Sequence, residues 1–79
     1  MAEQLAFDLE INLCDTPPPI QLLRTRKALL SLRPGQTLHV MTDSDTAHRD
    51  FVALAKVMGE PIVREQVQGA ISHFVFQKR

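Results

Sequence analysis

Leu5-Ala6-Phe7-Asp8-Leu9-Glu10-Ile11-Asn12-Leu13, then Cys14-Asp15-Thr16-Pro17-Pro18-Pro19, then Ile20-Gln21-Leu22-Leu23-Arg24-Thr25-Arg26-Lys27-Ala28-Leu29-Leu30 is the stretch that decides the fold. From Leu5 to Leu13 the odd positions are apolar and the even ones polar or small, the period of two of a half-buried β-strand. On this alternation Leu9 and Ile11 belong to the core face, together with Leu5, Phe7 and Leu13. The three consecutive prolines must end the strand, because each lacks a backbone donor and fixes φ at about −65°. The last of them suits the first turn of a helix, where a missing N–H costs nothing, so a helix is expected from about Pro19 through Leu32. Leu22 and Leu29, like Leu23 and Leu30, repeat seven apart and form a stripe that can lie on a sheet, with Arg26 reaching out to its margin.

Outward from this stretch, Arg33-Pro34-Gly35 ends the helix in a turn, and Thr37 to Thr42 reads as a second strand with Leu38 and Val40 on one face. Asp43-Ser44-Asp45-Thr46 is rich in helix N-cap residues. Ala47, Phe51, Leu54 and Met58 follow at amphipathic helical spacing until Gly59 and Pro61 stop the run. Ile62 to Val67 and Ala70 to Gln77 are β-rich runs separated by Gln68-Gly69, with Phe74 and Phe76 marking one face of a closing hairpin. The order β-α-β-α-β-β implies an α/β (α+β) two-layer sandwich: a four-stranded mixed sheet with two helices on one face. At 79 residues the chain is expected to be a single small domain over positions 1–79.

Nine Lys and Arg balance nine Asp and Glu, so the formal net charge is zero, which argues against a globally basic nucleic-acid binder and against an acidic disordered tail. Apolar residues make up 44% of the chain without any long uninterrupted run, so no membrane span is expected. Met1-Ala2-Glu3-Gln4 lacks the basic-then-apolar order of a signal peptide, and Cys14 is the sole cysteine, incapable of an internal disulfide. Together these favour a reducing cytoplasm.

No Gly-rich phosphate loop, GxSxG, paired cysteines or HExxH is present. His39, His48 and His73 fall on different elements without a cysteine companion, so neither a metal site nor a cofactor is expected. His39 and His73 read as solvated or packed strand residues, and His48 as a surface residue in the first turn of the second helix, where the dipole disfavours its charged form.

Charge order is more informative than charge sum. Glu3, Asp8, Glu10 and Asp15 precede the helix without a base among them, whereas Arg24, Arg26, Lys27 and Arg33 follow without an acid. The first helix therefore presents a positive face, suited to solvent or to an acidic partner surface. Cys14 stands just before the proline loop, and a thiol beside a helix N-terminus and bases can become a nucleophilic thiolate. Strand parity places it on the even, polar side, away from that terminus.

Pro18-Pro19-Ile20-Gln21-Leu22-Leu23-Arg24-Thr25-Arg26-Lys27-Ala28-Leu29, continued by Leu32-Arg33-Pro34-Gly35-Gln36-Thr37-Leu38 and by Thr42-Asp43 through Arg49-Asp50, resembles the TusA/SirA-like family of small bacterial sulfur-carrier proteins. The resemblance runs from about Leu5 to Lys78. It implies a persulfide relay, in which a cysteine in a Cys-Pro-x-Pro motif opening the first helix takes sulfur from a desulfurase-type donor and passes it to an acceptor. In the ungapped register Pro18 stands at the nucleophile's position, Pro19 keeps the following proline, and Gln21 replaces the motif's second proline. Two functions are consistent with this. One is a docking module that has lost the relay chemistry and uses Arg24, Arg26 and Lys27 to meet an acidic protein partner, a desulfurase or a sulfur acceptor. The other is an active sulfurtransferase with Cys14 as its catalytic residue, which needs the register to slip through the proline loop.

Overall fold

A computed structural model describes residues 7–79. Its elements are β1 (Leu9–Asn12), α1 (Pro18–Ser31), β2 (Thr37–Thr42), α2 (Ala47–Met58), β3 (Ile62–Gln68) and β4 (Ile71–Gln77). The strands form one mixed sheet in the order β1-β2-β4-β3, with β1 parallel to β2 and the other two pairs antiparallel. A parallel neighbour needs a crossover, and α1 supplies it. Both helices lie on one face, where Leu29, Ala47 and Phe51 join Leu13, Leu38, Val40, Phe74 and Phe76 in one buried cluster. The expected β-α-β-α-β-β sandwich is the observed fold.

Local chemistry explains the punctuation. Gly59 ends α2 in the left-handed region at φ 72°, and the N–H of Glu60 reaches back to the Ala55 carbonyl at 3.1 Å. The β3–β4 hairpin closes through Gly69 and Ala70, with Gly69 at φ 62° supplying the positive dihedral that a two-residue turn requires. In α2 the apolar spacing settles as expected, with Ala47 and Phe51 buried and Leu54 and Met58 half-buried against the core.

Two expectations are corrected. The first strand is shorter than Leu5–Leu13: it pairs only from Leu9, and Leu5 and Ala6 lie outside the described residues. Leu9 and Ile11 do pack against the core, but Phe7 does not follow them, and its ring lies 5.2 Å from that of His39 on the opposite face. Period two holds only inside a ladder. The Asp8 N–H still donates to the Thr37 carbonyl at 3.0 Å and its carboxylate accepts from Thr37 N at 2.8 Å and Thr37 Oγ1 at 3.2 Å, but regular pairing starts only at Leu9, so Phe7 lies ahead of the alternation. Helix α1 begins at Pro18 with Pro19 in its first turn, in keeping with the expected start at about Pro19. The second correction is the buried line of α1, which runs through Gln21, Thr25 and Leu29 rather than through both leucine pairs. Leu22 stays half-buried, but Leu23 and Leu30 are 62% and 56% exposed. Two heptad pairs one residue apart cannot both face the sheet, and Gln21 and Thr25 can be buried because their polar atoms are satisfied.

Candidate functional site

Where β1 ends, the N–H of Thr16 donates to the Leu13 carbonyl at 3.1 Å and closes a tight turn around Cys14 and Asp15. Asp15 takes φ 65°, a conformation that aspartate tolerates better than most side chains, and its N–H reaches the Asp43 carboxylate oxygens at 3.3 and 3.4 Å. The Cys14 N–H donates to Asn12 Oδ1 at 3.0 Å, so the residue is held in the turn, half-buried. Burial pushes the Cys14 thiol up from its ordinary pKa, and the carboxylates of Asp43 and Asp15 push it further in the same direction. Its thiolate is disfavoured on every count except the backbone hydrogen bond.

The start of α1 offers little to an anion. Pro18 and Pro19 have no N–H, and the next two donors, on Ile20 and Gln21, both close on the Pro17 carbonyl at 3.0 Å. A helix N-terminus stabilises a thiolate or persulfide through free N–H groups, and the first four residues of this one have none to spare. A cysteine elsewhere could not borrow what the terminus lacks.

Gln21 is 2% exposed and does structural work. Its Nε2 donates to the Thr16 carbonyl at 2.6 Å, and its Oε1 accepts from Thr42 Oγ1 at 2.7 Å, which in turn accepts from Ser44 N at 3.1 Å. One side chain thereby ties the proline loop to the end of β2. Gln21→Ala would leave the Thr42 hydroxyl and the Thr16 carbonyl without these partners, and a loss of about 1 to 3 kcal/mol is expected in urea unfolding.

Arg24, Arg26 and Lys27 all project from the exposed side of α1. Beside them on the same helix Ile20 is 44% exposed, and Leu23 and Leu30 more so, which puts three exposed apolar side chains among three cations. The apolar part of this surface is not legible in the sequence, where the seven-residue spacing of Leu23 and Leu30 points them toward the sheet. His48 is exposed as expected, and its Nδ1 lies 2.6 Å from Glu65 Oε2, linking α2 to β3. His39 and His73, by contrast, are joined to each other and to Glu10 on the helix-free face, an arrangement that only the strand register reveals. Among the described residues no group of three or more His, Cys, Asp or Glu is arranged to hold a metal ion, and no helix is long and apolar enough to cross a membrane.

The profile of the family described as Sulfurtransferase TusA matches residues 9–78. The sulfur carrier protein TusA of Allochromatium vinosum is 32% identical over 72 residues, covering 91% of this chain and 95% of that protein. The YrkI protein of Bacillus subtilis is 33% identical over 60 residues, 76% of this chain and 80% of its own. A solved SirA-like protein from Desulfitobacterium hafniense superposes with a TM-score of 0.78 at 21% identity, covering 89% of this chain and 96% of its own, and so shares the fold.

Proposed function

The chain belongs to the sulfurtransferase TusA family, and from that premise we propose that it serves sulfur relay as a docking module rather than as the carrier of the sulfur atom. The observation behind this reading is the start of α1, where Pro18 and Pro19 carry no N–H and those of Ile20 and Gln21 are both taken by the Pro17 carbonyl, leaving none to hold an anion. The one cysteine sits in the preceding turn, with two carboxylates opposing its ionisation. What the chain retains is a surface: Ile20, Leu23 and Leu30 for apolar contact, and Arg24, Arg26 and Lys27 to select an acidic protein, a desulfurase or a sulfur acceptor. A reducing cytoplasm suits a relay component with a free thiol.

Charges at the rim of an interface mainly set association rate and partner choice. Replacing Arg24, Arg26 and Lys27 together by Glu is expected to weaken capture of such a partner, most strongly at low salt, while leaving the fold intact. Cys14→Ser is expected to leave capture unchanged, and mass spectrometry after incubation with a cysteine desulfurase and cysteine should find no added sulfur. Unaltered capture by the triple-Glu variant would refute the docking surface. A mass gain of one sulfur atom on Cys14 would instead establish the chain as a carrier.

A further inference from the structure

On the sheet face away from the helices, three strands are joined by a chain of ionisable groups. Glu10 Oε2 on β1 lies 2.8 Å from His39 Nδ1 on β2, and His39 Nε2 lies 2.9 Å from His73 Nδ1 on β4. The two imidazoles stack at 5.1 Å and 19°, and the His39 side chain is 7% exposed, with Phe7 over it. The groups around this chain come from every strand: Glu10 from β1, with Asp8 before it turned to Thr37; Met41 beside His39; Val75 beside His73; and on β3 Arg64 across from Val75 and Gln66 across from His73.

Proton counting defines what this chain can do. With Glu10 ionised, its bond to His39 needs the hydrogen on Nδ1, which leaves His39 Nε2 an acceptor and requires His73 Nδ1 to donate. Two neutral imidazoles thus satisfy both contacts, each as its Nδ1–H tautomer. One added proton fits on His73 Nε2, outside the chain, and the hydrogen between the rings can then belong to either of them. A second added proton either sets two ring N–H groups head-on across 2.9 Å or, on Glu10, removes the negative charge that holds the His39 Nδ1–H.

We propose that Glu10, His39 and His73 form a proton-operated latch that fastens the edge strand β1 to β2 and β4, tolerating one added proton and releasing on the second. Burial, first, and then the neighbouring His39 hold the His73 pKa below the ordinary histidine value, only partly offset by Glu10. The folded protein therefore binds fewer protons than the unfolded chain just below pH ~6.5, and stability contributed by the neutral ring is full above that pH and declines as pH falls toward the lowered value. β1 is the more separable edge, four residues long, and it leads directly into the Cys14 turn and the proline loop, so its release would loosen the start of α1.

Nitrogen NMR and hydrogen exchange on the intact protein test this. At pH 8 both His39 and His73 should show the Nδ1–H tautomer, the minor form of free histidine. On acidification the protection of β1 amides should decline only gradually through the first protonation, beginning below pH ~6.5 as the lowered His73 pKa requires. It should then fall roughly tenfold per pH unit, as one-proton linkage demands, while β3–β4 amides remain protected. In His73→Gln, which carries only one of the two rings, this late, β1-specific fall should disappear. Nε2–H tautomers at pH 8, β1 and β3–β4 amides losing protection together, or an unchanged β1 profile in His73→Gln would each overturn the latch.

Discussion

Phe74→Ala is expected to cost about 3 to 5 kcal/mol, the range for truncating a fully buried aromatic side chain. Phe74 has no measurable exposure and stands where the sheet meets α2, its ring 5.1 Å from that of Phe51, which also lies edge-on to Phe76 at 5.9 Å. The loss therefore combines the transfer of the ring to water, a cavity under the helix, and aromatic contacts that alanine cannot replace. For a chain of this size each kcal/mol corresponds to roughly 4 to 8 °C, so Tm should fall by about 12 to 40 °C in calorimetry. Phe74→Leu, which keeps most of the volume, should recover the greater part of that loss. A Tm lowered by only a degree or two would mean that the aromatic cluster is not the centre of the core.

Lys78→Met should be nearly as damaging, for an electrostatic reason. Lys78 Nζ lies 3.2 Å from Glu60 Oε2, with the two side chains only 18% and 6% exposed. The same carboxylate accepts the Arg79 N–H at 2.9 Å, and the Lys78 backbone exchanges hydrogen bonds with Gly35 N at 2.7 Å and Gln36 O at 2.8 Å. Together they pin the end of the chain between the cap of α2 and the turn after α1. Removing the cation leaves Glu60 buried with no charge partner, a change that costs about 3 to 5 kcal/mol at such pairs. The double change Glu60→Leu with Lys78→Met should restore most of that stability, because two apolar groups leave no charge stranded. Chemical denaturation of the two variants side by side distinguishes this from a packing loss, in which case the double variant would be the less stable.

The candidate site was legible only in part, for reasons that differ residue by residue. That the start of α1 is short of donors is plain from Pro18 and Pro19 alone, because proline carries its lack of an N–H into any context. The role of Gln21 was not legible, since a glutamine in a helix is ordinarily a surface residue, and its burial depends on Thr16 and Thr42 arriving on two other segments. Cys14 looked like a thiol that a helix terminus could activate, yet its environment is set by Asp43, which lies 28 positions away from its neighbour Asp15 in the chain and is brought close by the pairing of β1 with β2.

By itself the sequence determined the order of elements, the prolines that stop β1 and start α1, and the core faces of β2, α2 and β4. These are properties of short windows, in which period, propensity and missing donors act whatever surrounds them. Only the tertiary structure decided which of two equally spaced leucine lines α1 would bury, which face Phe7 would take ahead of the first paired residue, and that Glu10, His39 and His73 would meet. Each of those outcomes depends on register between segments far apart in the chain. Register is set by the whole core closing at once, so no local stretch of residues encodes it.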